Sequence, residues 1–73
     1  MYSFGVEKNI FTDDEVIFQQ ESYTQHLGMI EALELLIDFI KTYPMCYFDT
    51  PEAGRLVQVT TEDELFCAYI EEE

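Results

Sequence analysis

Along TQHLGMIEALELLIDFIKTYP the apolar residues recur at helical spacing, and the interior is rich in the good helix formers Leu, Glu, Ala and Ile. At about 100° per residue, Ile30, Ile37, Leu33, Ile40, Met29, Leu36, Ala32, Phe39 and Leu35 cover well over half of the circumference. Glu31, Glu34, Asp38 and Lys41 fill the narrow arc that remains. Thr24 offers an N-cap, and Tyr43 with Pro44 closes the segment. One long helix is therefore predicted. An apolar stripe this wide exceeds what one flat neighbour covers. It calls for the concave face of a curled sheet, or for a face shared with a second chain. Gly28, near the start, weakens the first turn or permits close packing.

After Pro44 the pattern shortens. MCYFDT and RLVQVTT flank the turn-rich PEAG, which reads as a hairpin with Gly54 available for positive φ. LFCAYI follows. Thr61-Glu-Asp-Glu64 matches a capping box and favours a terminal helix. Against that, Phe, Cys, Tyr and Ile favour a strand, and three Glu sit badly at a helix C-terminus. The strand is the better reading and completes a three-stranded meander; a helical C-terminal segment is the alternative. Glu71 is then held near an ordered surface, while Glu72 and Glu73 fray. In the N-terminal third, YSFGVEKNIF and EVIFQQESY suit a hairpin about the TDD turn. Thr12 to Glu15 again resembles a capping box, so a short helix from Asp13 is the rival. The combined expectation is one small acidic α+β domain over 1–73, with a curled antiparallel sheet on one long helix in the order ββαβββ.

Length and composition sharpen this picture. A chain of 73 residues with 48% hydrophobic residues and eleven aromatics has enough apolar material for one core. No apolar run approaches the roughly 20 residues of a membrane span. MYSFGVEKN has neither the basic n-region nor the apolar h-region of a secretory signal. Cys46 and Cys67 form neither a CxxC motif nor a multi-bridge framework, and read as small buried residues. A reduced, cytoplasmic protein is the expectation.

The charge changes the picture most. Sixteen Asp and Glu face only Lys8, Lys41 and Arg55, for a formal charge of −13 and a pI near 4.1. Solubility alone asks for a net charge of magnitude about 2–8 in a small domain, and the excess destabilises the compact state by self-repulsion. A basic partner is implied. Direct contact with nucleic acid or an anionic membrane is excluded by repulsion.

The chemistry of catalysis is thin. His26 is the only histidine, and no orienting third group accompanies it with either cysteine. Asp13-Asp14-Glu15 and Glu62-Asp63-Glu64 do not match the calcium loop of an EF-hand; consecutive acids point in different directions and suit solvated turns. Gly5, Gly28 and Gly54 are isolated and build no phosphate loop. No DSL-type serine precedes a helix, as an acyl-carrier protein would require. No enzyme, cofactor or metal site is expected.

The placement of the acids is more informative. Glu31, Glu34 and Asp38 follow i, i+3, i+7 along one helix edge, where like charges destabilise a helix, and only Lys41 relieves them. Carboxylates at such spacing approximate the phosphates of a nucleic-acid strand, which Lys and Arg of nucleic-acid-binding proteins are placed to meet. The candidate partner-binding residues are Glu31, Glu34, Asp38, Asp13, Asp14, Glu15, Glu62, Asp63, Glu64 and Glu71, with Tyr2, Phe4, Tyr47 and Tyr69 as candidate apolar anchors. On this reading the acids gather on one or two faces.

In size and charge, over the chain as a whole, this resembles the nucleic-acid-mimicking inhibitors of bacteriophages and mobile elements. Those include anti-restriction, anti-CRISPR and uracil-DNA glycosylase inhibitor proteins. The resemblance implies a cytoplasmic DNA mimic that blocks a basic DNA- or RNA-binding protein of the host cell. Such inhibitors share no fold and no motif, so no residue is carried over. The alternative is an acidic regulatory or assembly subunit that uses the apolar helix face to bind a protein partner or to form a homodimer. An antitoxin-like neutraliser and an adaptation to saline cytoplasm are further readings; the abundance of Phe and Ile weighs against the latter.

Overall fold

Phe4 and Val6 alternate with Ser3, Gly5 and Glu7, so the first strand carries an apolar and a polar side. The computed structural model describes every residue, Met1–Glu73, and follows that alternation. Strand β1 (Tyr2–Phe11) pairs with β2 (Val16–Leu27), helix α1 spans Met29–Thr42, and strands β3 (Cys46–Asp49), β4 (Arg55–Thr61) and β5 (Phe66–Glu72) complete the chain. The strands form one antiparallel sheet in the order β2-β1-β5-β4-β3. The protein is α+β, but the sheet is the dominant element, and the helix is shorter than expected at 14 residues. The C-terminal segment is a strand, not a helix.

The helix covers one face of the sheet. Ala32, Leu36 and Phe39 descend onto Phe4, Leu27, Val59, Ala68 and Ile70 to make the core. Each large side chain fully removed from water there contributes about 1.5–3 kcal/mol. Phe39, Tyr43 and Phe66 continue the packing as an aromatic row with ring centroids 5.0 Å apart. Residues Cys67, Ala68, Tyr69 and Ile70 of β5 are all buried. A strand with neighbours on both sides and cover on both faces loses its alternation, which is why LFCAYI reads as an unbroken apolar run.

The helix starts later than its sequence suggests. Thr24 is not its cap: Thr24 to Leu27 belong to β2, opposite Tyr2 and Phe4. Gly28 is the N-cap, and its backbone N–H donates to the Glu31 carboxylate at 3.1 Å. Tyr43 closes the C-terminus, its N–H donating to the Phe39 carbonyl.

Three register shifts bend the sheet. One extra residue enters β2 near Glu21 and another near His26, which sits at φ 62°. The third enters β4 between Arg55 and Val57, opposite Ile70 and Glu71 of β5. That bulge reverses the local alternation and turns Arg55 onto the polar face with Gln58 and Tyr69, away from Val57 and Val59.

Candidate partner-binding surface

Both acidic turns lie at the same end of the sheet. The Asn9 N–H donates to the Leu65 carbonyl at 2.8 Å, and Asn9 Nδ2 donates to the Glu64 carbonyl at 2.6 Å. These bonds fasten the β4–β5 turn to the base of the β1–β2 hairpin. Asp13, Asp14 and Glu15 occupy the tip of that hairpin, and Glu62, Asp63 and Glu64 the neighbouring turn; all six are exposed.

Side chains that look like helix caps build these turns instead. Thr12 Oγ1 accepts the Glu15 N–H at 3.1 Å, and its hydroxyl donates to the Glu15 carbonyl at 2.9 Å. In the second turn Thr61 donates to Asp63 Oδ1 at 2.6 Å, the Leu65 N–H donates to that same oxygen, and Thr61 Oγ1 accepts the Phe66 N–H. The Thr61 hydroxyl and the Leu65 amide hold the Asp63 carboxyl below the ordinary aspartate range, so it stays charged. Glu64 closes the turn at φ 62°, a left-handed conformation unusual for a side chain of that kind.

Beyond Lys8, where pairing with β5 stops, the hairpin continues as a two-stranded arm. Ile10, Phe11, Val16, Ile17 and Phe18 are all exposed along it, Phe18 at 63%. The acidic tip is thus flanked by exposed aromatic and aliphatic side chains.

The remaining predicted acids lie elsewhere. Glu31, Glu34 and Asp38 share the flank of α1 that faces β2, where they line a shallow groove with Thr24, Leu27 and Leu35. Glu71 is on the opposite face of the sheet and toward its other end, with the Tyr23 hydroxyl 3.4 Å from its carboxylate. The structure thus sets six of the predicted acids in two turns toward one end of the sheet, three at the tip of the hairpin arm and three at its base, places three along a helix edge and leaves Glu71 apart. Glu73 does not fray: its N–H donates to the Met1 carbonyl, and its carboxylate accepts the His26 N–H at 2.9 Å, with His26 Nδ1 3.3 Å away.

Of the anchor candidates, Phe4 and Tyr69 are buried and Tyr2 is half-buried, because each faces the core or the covered centre of the sheet. Tyr47 alone is exposed, at 42%. Phe11, Phe18, Tyr23 and Phe48 are the large exposed aromatics that sequence reasoning missed. The strand pattern offered a signal, since an arm with apolar residues on both faces and nothing paired beyond it leaves them in water.

A second polar site faces away from the helix. Glu7, Asn9, Asp49, Glu52, Arg55, Gln58, Thr60 and Glu64 line an open cleft with Phe18, Tyr47 and Cys67. Arg55 is its hub. The guanidinium contacts Glu7 at 2.5 Å, Glu52 at 3.1 Å and Gln58 Oε1 at 2.9 Å, and lies 3.7 Å above the Tyr69 ring. Burial pulls its pKa down, but Glu7 and Glu52 outweigh that and leave it raised. Cys67 lies on this face, where burial pushes its thiol up. Cys46 packs on the helix side, two strands away across β4, and both cysteines are free.

No group of three or more His, Cys, Asp or Glu side chains converges as metal ligands would. No helix is long and apolar enough to cross a membrane. Comparison with protein-family models, curated proteins and solved structures yields no match to this chain.

Proposed function

We propose that this chain is a small acidic inhibitor that offers carboxylates in place of nucleic-acid phosphates and so blocks a DNA- or RNA-binding protein. A bacteriophage or mobile-element origin, and action in the host cytoplasm, fit this reading. The carrying observation is what happens to the opposite charge. The only arginine is drawn into the sheet by Glu7 and Glu52, its side chain 9% exposed, while the six turn carboxylates stay in solvent at one end. Lys8, opposite Phe66, is the one cation placed toward that end, so the six acids outnumber it and the outward field there is negative. A basic groove would be steered to it, and release of the counterions held by either surface would favour binding. Phe11 and Phe18 supply apolar contacts that a phosphate backbone lacks.

The test is capture of partners from bacterial lysate at low and high salt, with DNA or RNA as competitor. A nucleic-acid-binding protein should be retained at low salt, released as salt rises and displaced by nucleic acid. Retention that ignores both salt and nucleic acid overturns the proposal.

A second reading has one specific observation behind it. Ile30, Leu33 and Ile37 remain exposed at 70%, 41% and 50% on a helix whose other side is already packed. An acidic regulatory or assembly subunit docking through that stripe would hold its partner independently of salt.

A further inference from the structure

Strand β2 is an open edge. It has β1 on one side and no strand on the other, and every residue from Val16 to His26 is exposed. Asn9 fixes the direction of its backbone. The Asn9 N–H turns away from β2 to the Leu65 carbonyl, so Phe18, the residue opposite, turns its own N–H and carbonyl outward. By alternation Val16 and Gln20 do the same. A row of unpaired donors and acceptors is a template for another strand, and folded chains ordinarily blunt it with lysine, proline or short length. Strand β2 is 12 residues long, has neither Lys nor Pro, and carries one charge, Glu21. Its bulges, near Glu21 and His26, leave Val16–Gln20 regular.

The two sides of this edge differ. Phe18 lines the cleft away from the helix, and the Tyr23 hydroxyl reaches Glu71 on that same face; both rings are exposed. On the helix side Thr24 borders the groove edged by Glu31, Glu34 and Asp38. Asp13, Asp14 and Glu15 stand at the tip where the strand begins.

We infer that the β2 edge binds an extended basic segment of the partner, which joins the sheet as a sixth strand through main-chain hydrogen bonds. Charge chooses the occupant. A second copy of this chain would bring its own acids against these and is repelled at −13. A strand with Lys or Arg at alternate positions meets the helix-edge acids on one side, while its apolar residues cover Phe18 and Tyr23 on the other. Alternate side chains on a strand stand roughly 6.6 Å apart, close to the steps of about 4.5 and 6 Å from Glu31 to Glu34 to Asp38 along the helix axis. Nine extended residues, about 30 Å, reach from the tip acids to Thr24. The inference rests on the basic partner of the proposed function and adds how that partner is held.

The probe is a capped nine-residue peptide alternating Lys and Val, titrated into the isotope-labelled chain at 50 mM NaCl, with amide hydrogen exchange as the readout. Exchange at the Phe18 N–H should slow at least tenfold on binding, with Val16 and Gln20 following. Ile17 and Gln19, whose amides face β1, should change little. A peptide of the same charge with alternate amides N-methylated should bind at least tenfold more weakly, and one alternating Glu and Val should not bind. Phe18→Pro removes an outward donor while sparing the bonds to β1, and should weaken binding tenfold with circular dichroism unchanged. Should that variant fail to fold, Glu34→Gln with Asp38→Asn should also weaken binding. Absence of binding at 50 mM NaCl overturns the inference. So does binding that leaves Phe18 exchange unchanged or ignores N-methylation, which is charge attraction without strand addition. Nucleic acid enters none of these measurements, so a lysate partner that nucleic acid fails to displace would sink the proposed function and leave this result standing.

Discussion

Arg55 reaches across β5 to place its guanidinium 2.5 Å from the Glu7 carboxylate, with side chains 9% and 18% exposed. Tyr69 lies beneath the guanidinium, and Glu52 and Gln58 complete its contacts. The pair joins β4 to β1 over a strand that separates them. Removing the cation strands the Glu7 carboxylate, 18% exposed, without its partner, while Glu52 at 62% stays largely in solvent. An uncompensated buried charge is strongly destabilising. Arg55→Met should cost about 2–4 kcal/mol in urea unfolding. Adding Glu7→Gln to that variant should recover part of the loss, since one stranded charge disappears. Equal unfolding midpoints for wild type and Arg55→Met would show that the pair contributes nothing.

Gly5 on β1 stands directly against Tyr69 on β5. A methyl group at Gly5 would stand 2.4 Å from the ring and hydroxyl of Tyr69. The ring has little room to retreat, because Arg55 covers it and its hydroxyl donates to Gln20 Oε1 at 3.0 Å. Gly5→Ala should therefore destabilise by about 1–3 kcal/mol through overpacking. Combined with Tyr69→Leu, the glycine substitution should cost less than it does alone. Additive losses in thermal melts would place the strain elsewhere.

These contacts also mark how far the sequence was legible. The hairpin, the meander, the helix type and the C-terminal strand follow from local patterns and turn residues, and each is present. The length of β2 was not readable. Thr24 is a good cap in isolation, but pairing opposite Tyr2 and Phe4 draws residues 24–27 into the strand, and Glu31 then caps Gly28. Strand order was equally hidden, because insertion of β5 between β1 and β4 joins residues more than fifty positions apart. Among the acids, each turn was legible as a turn, whereas their meeting at one end depends on that strand order. The fate of Arg55 depends on a one-residue bulge, which no propensity announces.

The Asp63 turn gives a pH dependence of known sign. Its carboxyl sits below the ordinary aspartate range because Thr61 and the Leu65 amide donate to it. A carboxyl depressed on folding contributes fully above its unfolded pKa and loses that contribution as pH falls through the folded one. Carbon-detected NMR titration should place the Asp63 midpoint below that of a disordered aspartate. In Thr61→Val the midpoint should move upward. A midpoint indifferent to Thr61 would refute the assigned cause.

Glu64 combines backbone strain with exposure. At φ 62° a residue with a Cβ is disfavoured by about 1–2 kcal/mol, and glycine adopts that conformation freely. Glu64→Gly should raise stability by up to about 1 kcal/mol, the extra freedom of the unfolded glycine offsetting part of the gain. Under the proposed function the same substitution removes one of the six turn carboxylates and should weaken partner capture. A variant both less stable and unchanged in binding would contradict each half of the expectation.

Salt acts on the whole molecule. Sixteen acidic residues stand on a chain whose three cations are Arg55, Lys8 and Lys41. Arg55 is enclosed, and the Lys8 ammonium lies 5.9 Å from the Phe66 ring centroid. Little is left to offset repulsion within the acidic end and along Glu31, Glu34 and Asp38. Screening shortens the reach of that repulsion from about 30 Å at 0.01 M salt to roughly 4 Å near 0.5 M. Recovery of even about 1 kcal/mol corresponds to a rise of about 4–8 °C in Tm for a domain of this size. Calorimetry between those salts should show such a rise. Neutralising Asp13, Asp14 and Glu15 as Asn, Asn and Gln should shrink the salt response, because fewer like charges then need screening. A Tm that stays level or falls with salt would mean that the folded chain tolerates its acids without strain, and the argument that their excess is kept for a partner would lose its physical basis.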